Sequence, residues 1–414
     1  MSSELPDLLD DCVHCGFCLP TCPTYVLWGE EMDSPRGRIY LMREHVEGEP
    51  LSEPMVRHFD RCLGCMACVT ACPSGVQYDR LIEETRADVE RNYPRTRRER
   101  ALRSLVFNVF PYPRRLRALR PLLRAYQRSG VRLPLPSRLA AMQRLLPPLG
   151  AAAPVASFTP ARGERRARVG MLLGCVQREF FGDVNAATVR VLSAEGCDVL
   201  APSVQGCCGA LSLHMGRSDE AVAFAKRLIE TFESLVVDAI VVNAAGCGSA
   251  MKDYGWLLRD EPGSWPERAA AFSAKVRDIA EYLVELGPVA VRHPLPLTVA
   301  YHDACHLAHA QGVRSAPREL LSAIPGVEVR EIEEAAICCG SAGVYNILQP
   351  EAAGALGARK AANVAATGAD VLVTANPGCL MQIRQALENR GTPMRLAHTV
   401  EILDASLRGA ALRS

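Results

Sequence analysis

No stretch of the 414-residue chain runs through the roughly 18 to 20 apolar residues needed to cross a bilayer, so any membrane contact is expected to be peripheral. The N-terminus, MSSELPDLLDDC, has neither the basic start nor the apolar run of an export signal. That predicts a cytoplasmic protein, with peripheral attachment to the inner face of the membrane as the alternative. An excess of charge is missing as well: 47 Lys and Arg against 46 Asp and Glu leave +1, which gives no global reason to expect a nucleic-acid partner. There is no G-x-G-x-x-G fingerprint for a dinucleotide, since the nearest glycine clusters, GCCGAL and CCGSAG, lack the spacing. Neither a phosphate loop nor a Ser/His/Asp constellation is found, so no catalytic residue is assigned. At 49% hydrophobic and 22% charged, the composition is that of an ordinary globular protein, long enough for roughly two to four domains.

Cysteine is what the chain has in quantity. Its 17 cysteines would suggest a disulfide scaffold in a short secreted protein, but here they fall into ligand spacings. DCVHCGFCLPTCP, Asp11 to Pro23, and RCLGCMACVTACP, Arg61 to Pro73, both read C-x2-C-x2-C-x3-C-P. Three thiolates two residues apart wrap one face of an iron–sulfur cube, and the fourth, before proline, ligates the other cube. The expected sets are therefore Cys12, Cys15, Cys18 and Cys72 for one [4Fe–4S] cluster, and Cys62, Cys65, Cys68 and Cys22 for the second. Zinc sites use paired C-x2-C units rather than triplets with a trailing Cys-Pro, which argues against the blander metal. Gly16, Gly64 and Ala67 leave room for backbone amides to approach cluster sulfurs.

The long segment between the motifs, with SPRGRIYLMREHVEG read as a capped helix after Ser34-Pro35, favours a helical dicluster ferredoxin over residues 1–90. Arg36 and Arg38 in it either neutralise cluster charge or dock the helix. Another helix is expected through Tyr78 to Val89. Residues 91–167 form a basic helical segment and linker: Arg91 to Arg128 carries twelve arginines against Glu99 alone, interleaved with leucines, valines and phenylalanines. Such a stretch either docks on a partner or an anionic membrane, or packs between domains with its arginines reaching to water.

The remainder is duplicated. VGMLLGC ending at Cys175 matches VAYHDAC ending at Cys305; GCCG at Cys207 and Cys208 matches ICCG at Cys338 and Cys339; IVVNAAGC at Cys247 matches VLVTANPGC at Cys379. Each copy, residues 168–290 and 291–414, reads as parallel α/β with its cysteines at the carboxyl ends of strands. His302, His306 and His309 flank Cys305 where the first copy has Leu172, Val176 and Glu179, so one of them is a candidate ligand or proton relay, against the plainer reading of a satisfied core residue. Cys197 stands outside the pattern as a small buried hydrophobe.

The two copies resemble the cysteine-rich CCG domains of heterodisulfide reductases, except that the final cysteine of that pattern is Ala250 in one and Gln382 in the other. The resemblance carries over Cys175, Cys207, Cys208 and Cys247, and Cys305, Cys338, Cys339 and Cys379, as metal-binding thiols for a further iron–sulfur cluster or zinc. With both cube motifs, SPRGRIYLMR and the paired CCG copies, the sequence resembles the iron–sulfur subunits of bacterial glycolate oxidase. That implies an α+β multidomain chain, a helical dicluster ferredoxin followed by a duplicated CCG pair. It also implies an electron-transfer subunit passing electrons from an FAD-containing dehydrogenase partner, in a hetero-oligomer, towards a quinone-type acceptor. The alternatives are the iron–sulfur subunit of a glycerol-3-phosphate or lactate dehydrogenase, and a heterodisulfide-reductase-like thiol/disulfide enzyme.

Overall fold

The computed structural model describes residues 5–131, 134–149 and 154–412. From Leu5 to Asn92 the described residues are helical and contain no strand. The helix Pro35–Val46 forms where the sequence places it: proline presets its first turn, and the Ser34 hydroxyl accepts from the Gly37 amide at 3.0 Å. Its buried Ile39 and Met42 meet Leu5 and Leu9, Val56 and Phe59 of the helix Glu53–Arg61, and Leu81 and Ile82 of the helix Tyr78–Asn92. This small apolar core holds both cysteine motifs on one scaffold.

The basic segment divides. Thr96 and Glu99 close a capping box on the helix Arg97–Val109. Arg95 pairs with Asp60 and Arg103 with Glu90, while Val106 and Phe107 pack against Leu145, Val344 and Ile347. This part packs between units. The following helix, Pro113–Ser129, buries only Leu116, and leaves Arg114, Arg115 and Arg128 exposed.

Two sheets follow. The first has strands β1 (Phe158–Thr159), β2 (Ala167–Met171), β3 (Cys197–Leu200), β4 (Ala239–Val242) and β5 (Val276–Asp278), in the order β1-β3-β2-β4-β5. The second has β6 (Leu297–Tyr301), β7 (Val327–Glu331), β8 (Val371–Val373) and β9 (Arg395–Ala397), in the order β7-β6-β8-β9. All pairings are parallel except β1 with β3, where Phe158 and Thr159, within the stretch expected to be a linker, register with Leu200 and Val199. The shared order β3-β2-β4-β5 and β7-β6-β8-β9 expresses the duplication, and β5 and β9 extend it beyond the cysteine-bearing strands that the sequence pattern marks.

The copies join reciprocally. The first long helix of copy one, Gly182–Ala194, packs on the last helix of copy two, Thr399–Arg408, and the last helix of copy one, Ile279–Leu286, packs on Ser315–Ser322 of copy two. Arg190 crosses this interface to Asp404 at 2.7 and 2.9 Å. One apolar core, from Val169 and Val191 to Val299, Val371 and Leu403, runs through both sheets. The ferredoxin unit seats on copy one with little clearance. A Cβ on Gly216 would lie 2.1 Å from the Arg86 carbonyl, at φ +79°. Gly216→Ala is therefore expected to cost about 3 kcal/mol or more in urea unfolding, combining overpacking with left-handed strain. Gly130→Ala, at φ +66° in open space, should cost only about 1 kcal/mol.

Candidate metal centres

The loops Cys12–Cys18 and Cys62–Cys68 share an unusual backbone. His14 (φ 54°) and Gly16 (φ 88°) are left-handed in the first, Gly64 (φ 63°) and Met66 (φ 61°) in the second, so each loop turns left at the same two positions whatever the residue. Successive amides in such a path converge into a concavity that suits an anion, the arrangement found at iron–sulfur sites. A left-handed His and Met are strained, and strain of this kind persists where a function over-determines it.

By depth the eight thiols form two groups. Cys15 is exposed and Cys12, Cys18 and Cys72 half-buried, all lining one cavity; Cys22, Cys62, Cys65 and Cys68 are buried. The chain brings Cys72 close enough to Cys12 to raise its thiol pKa, and Cys22 close enough to raise those of Cys65 and Cys68, and also that of Cys18 across the two groups. Four soft donors around a ring of amides fit a [4Fe–4S] cluster in each place.

The buried group is wrapped in cationic and polar support. Arg38, wholly buried, donates from Nε to the His58 carbonyl at 2.7 Å and from Nη2 to Thr24 Oγ1 at 3.1 Å, and pairs with Asp33 at 3.3 Å. Arg86 donates to the carbonyls of Cys62 and of His214 in copy one. Burial works against ionisation of Cys62, but Arg38 and Arg86 outweigh it and hold the thiol below its ordinary range, helped by the Gly64 amide at 3.4 Å and the Tyr78 hydroxyl at 3.6 Å. Arg38 thus docks its helix, one of the two roles expected for it, and places its charge beside the Cys62 thiol. Arg36 lies at the surface group, bound to Glu31 at 2.6 Å and to the His14 carbonyl at 3.0 Å.

In copy one, Cys175 Sγ stands 3.6 Å from Cys207, which leads through Cys208 to Cys247 as one hydrogen-bonded chain of thiols. Hydrogen bonds from Cys207 and Cys247 hold Cys208 well below the ordinary thiol range, whereas Cys207 is pushed up by its bonds to Cys175 and Cys208 and by burial, and Cys247 by its bond to Cys208 and by burial. Adjacent thiols cannot all become anions unless a cation joins them, which is what a bound metal supplies. Leu172 closes this site with apolar surface.

Copy two repeats the set with different surroundings. Cys305 Sγ lies 3.9 Å from Cys338, and Cys338 leads to Cys339 and Cys379. Asn376 Nδ2 donates to Cys379 Sγ at 3.4 Å, and His306 Nδ1 is 3.5 Å from Cys305 Sγ. His302, in place of Leu172, is 1% exposed and has no hydrogen-bond partner on either nitrogen. His309 is engaged elsewhere, with Thr70 Oγ1 at 2.9 Å and the Ala336 carbonyl at 3.2 Å. Gln382 turns away from the thiols, donating to the Ala353 carbonyl at 2.8 Å and accepting from Asn346 at 3.2 Å. A buried Lys360 lies within electrostatic reach of Cys338 and Cys339 and donates to the Glu334 carbonyl at 2.6 Å. The sequence signal that could have found it is a lysine on the apolar stripe Ala353, Leu356, Gly357, Ala361, Val364 of the helix Pro350–Ala366. Cys197 sits apart in the main core, its thiol raised to about 11 by burial.

The ferredoxin and copy two touch directly. Leu63, Cys65 and Ala67 share an apolar cluster with Cys305, Ile337, Cys338 and Tyr345, and Cys305 is, after burial, the largest influence raising the Cys65 thiol. The His214 and His306 rings meet at 4.8 Å between the two copies. No helix among the described residues is long and apolar enough to cross a membrane.

Family models place these parts. A 4Fe-4S dicluster domain matches residues 8–76, a cysteine-rich domain matches 169–252 and 299–384, and a linker region described from the glycolate oxidase iron-sulfur subunit matches 98–146. The chain is 40% identical to the probable glycolate oxidase iron-sulfur subunit of Bacillus subtilis, across 97% of this chain and 96% of that one. It is 34% identical to the glycolate oxidase iron-sulfur subunit of Escherichia coli, across 98% and 95%. Lactate utilization protein A of an Exiguobacterium species is 31% identical over 58% of this chain and 99% of its own. The crystal structure of a hypothetical protein from Helicobacter pylori has the same fold at a TM-score of 0.54, with 9% identity, covering 98% of this chain and 73% of that one.

Proposed function

Because the chain belongs to the family of glycolate oxidase iron–sulfur subunits, we propose that it receives electrons from an FAD-containing partner subunit that oxidises glycolate, and delivers them towards a quinone-type acceptor. It is an iron–sulfur electron-transfer subunit of an oxidoreductase complex and carries no hydride-accepting site of its own by motif. Cys12, Cys15, Cys18 and Cys72 would hold one [4Fe–4S] cluster and Cys22, Cys62, Cys65 and Cys68 the other; when bound, the clusters supply one-electron storage and transfer. The cysteine sets of the two copies hold further iron–sulfur metal or zinc.

The observation that carries this reading is the ordering of the thiol sets by depth. The half-exposed set lies at the surface beside Val13 and Phe17, 68% and 65% exposed. The buried set follows, and then Cys305 and Cys338 of copy two. An apolar rim around the outermost set suits a partner's apolar interface core. Inside, Arg38, Arg86 and Tyr78 hold Cys62, and the buried Leu63, Cys65 and Ala67 pack against copy two.

The test is co-expression with flavin subunits, followed by an assay with glycolate, lactate and glycerol-3-phosphate. Glycolate is expected to reduce the iron–sulfur absorbance of the complex. Phe17→Glu should weaken assembly with the flavin subunit about tenfold or more while leaving iron content unchanged. Reduction by lactate alone would transfer the reading to the lactate branch of the relatives, and disulfide reduction by this chain without a partner would overturn it.

A further inference from the structure

We infer that copy two, unlike copy one, holds its metal through a histidine: His302, together with Cys339 and Cys379. This rests on the reading that the copies bear metal, and concerns which residues hold it. The three donor atoms lie within 4.8 Å of one another, and all three side chains are buried. A fully buried imidazole with neither nitrogen satisfied is rare, because leaving such groups unpaired costs about 1–3 kcal/mol each. No protein group hydrogen-bonds to it here; soft thiols of Cys339 and Cys379 share its space, with Lys360 within electrostatic reach. Imidazole and thiolate together suit zinc or iron.

The two copies differ at this very position. Leu172 of copy one stands where copy two has His302; it packs with Cys175, Cys207 and Cys208 and offers no donor. Neither copy has a cysteine at the last position of the pattern. Ala250 is apolar, and both ends of Gln382 are bonded away from the thiols. Copy two therefore recovers a fifth donor from a different strand end, at the carboxyl terminus of β6, and copy one does not. The charge balance differs as well: the ammonium of Lys360 stands by Cys338 and Cys339, whereas in copy one His214 is the basic group within reach of Cys208, and Leu228 and Ile229 belong to the surrounding apolar cluster. A neutral nitrogen in place of an anionic thiolate raises the reduction potential of an iron–sulfur centre. The duplication has produced two unequal sites, and the one touching the ferredoxin is the histidine-bearing one.

The experiment uses the full-length chain purified without oxygen, alone and with its partner subunits. Metal content is measured, and nitrogen couplings are recorded by pulsed electron paramagnetic resonance on protein grown with 14N- or 15N-histidine. Zinc, if it is the metal found, is exchanged for paramagnetic cobalt(II), so one readout serves both metals. The expected result is metal beyond the about eight irons of the two cubes, with a histidine nitrogen strongly coupled to it. His302→Leu should abolish that coupling and lower the extra metal by about one site's share, while His306→Leu should keep the coupling. His302→Cys should retain metal without the coupling, and if the metal is iron its midpoint potential should fall; this variant also decides the matter if His302→Leu does not fold. Extra metal without histidine coupling, coupling that survives in both His302 variants, or no metal beyond the cubes would each overturn the inference. In none of those cases is glycolate-driven reduction of the cubes affected, so the two readings fail separately.

Discussion

Arg38→Met is expected to cost about 3–5 kcal/mol of stability and to strip the protein of about half of its ferredoxin iron. Arg38 has no exposed surface, and its guanidinium satisfies the His58 carbonyl, Thr24 Oγ1 and Asp33 together. Methionine fills much of the volume but leaves Asp33 buried with Arg61 at 2.8 Å as its remaining guanidinium partner and a His58 ring nitrogen at 2.9 Å. Removing one partner of a buried ion pair is far more costly than never having built it, because the remaining charge loses its compensation in a medium that screens poorly. The iron loss has a separate origin. Arg38 and Arg86 lower the Cys62 thiol against the burial that raises it, so removing one of them shifts the balance towards the protonated sulfur, a poorer ligand. Arg38→Lys keeps the charge without the planar fork, so it should recover more iron than stability. Chemical unfolding and iron analysis on the same preparations separate the two effects, and equal losses in the Lys and Met variants would sink the electrostatic part.

Cys22→Ser and Cys72→Ser are expected to have crossed effects. Cys22 belongs by sequence to the first motif, yet it is buried with Cys65 and Cys68, whereas Cys72 lies with Cys12 in the half-exposed group. Serine oxygen is a harder and poorer ligand for this soft metal. Cys22→Ser should therefore remove the paramagnetic signal of the interior cluster and leave that of the surface cluster, and Cys72→Ser should do the reverse, each lowering ferredoxin iron by about half. The signals can be told apart because the surface cluster is the one relaxed by a soluble paramagnetic probe. If each variant instead lost the cluster of its own sequence neighbours, the crossed ligand sets would be wrong. Cys22 also contacts Thr24 Oγ1 at 3.3 Å, so Thr24→Val serves as a control for local packing.

The sequence made the cysteines legible because in these motifs spacing along the chain is itself ligand geometry, and the duplication made the strand ends legible because the same thiols recur at nearly constant offset. The helix Pro35–Val46 was equally readable from its Ser-Pro start. What escaped depends on contacts between distant segments. Gly216 looks like any turn glycine until the Arg86 carbonyl lies against it, Arg86 carries no sequence signal although it bonds across two units, and Lys360 shows only as a lysine on an apolar helical stripe although it is buried beside two thiols. The strands Val276–Asp278 and Arg395–Ala397 are three residues long and each carries an arginine, too short and too polar to announce themselves. His302 was visible as a neighbour of Cys305, but its actual neighbours, Cys339 and Cys379, arrive from other loops.

The apolar contact of Leu63, Cys65 and Ala67 with Cys305, Ile337 and Tyr345 would change the kinetic order of an electron hand-over between the ferredoxin and copy two. Separate ferredoxins must find their acceptors by diffusion, and each encounter costs them translational freedom. Here that loss is incurred once, during folding, and the effective concentration of one site at the other is fixed by the chain rather than by abundance in the cell. Salt, which slows association between charged partners by screening their attraction, has no encounter to slow at this boundary. Under the proposed function, any dependence of turnover on ionic strength then reports on the electron donor or on the final acceptor, the two places where electrons would cross between separate molecules.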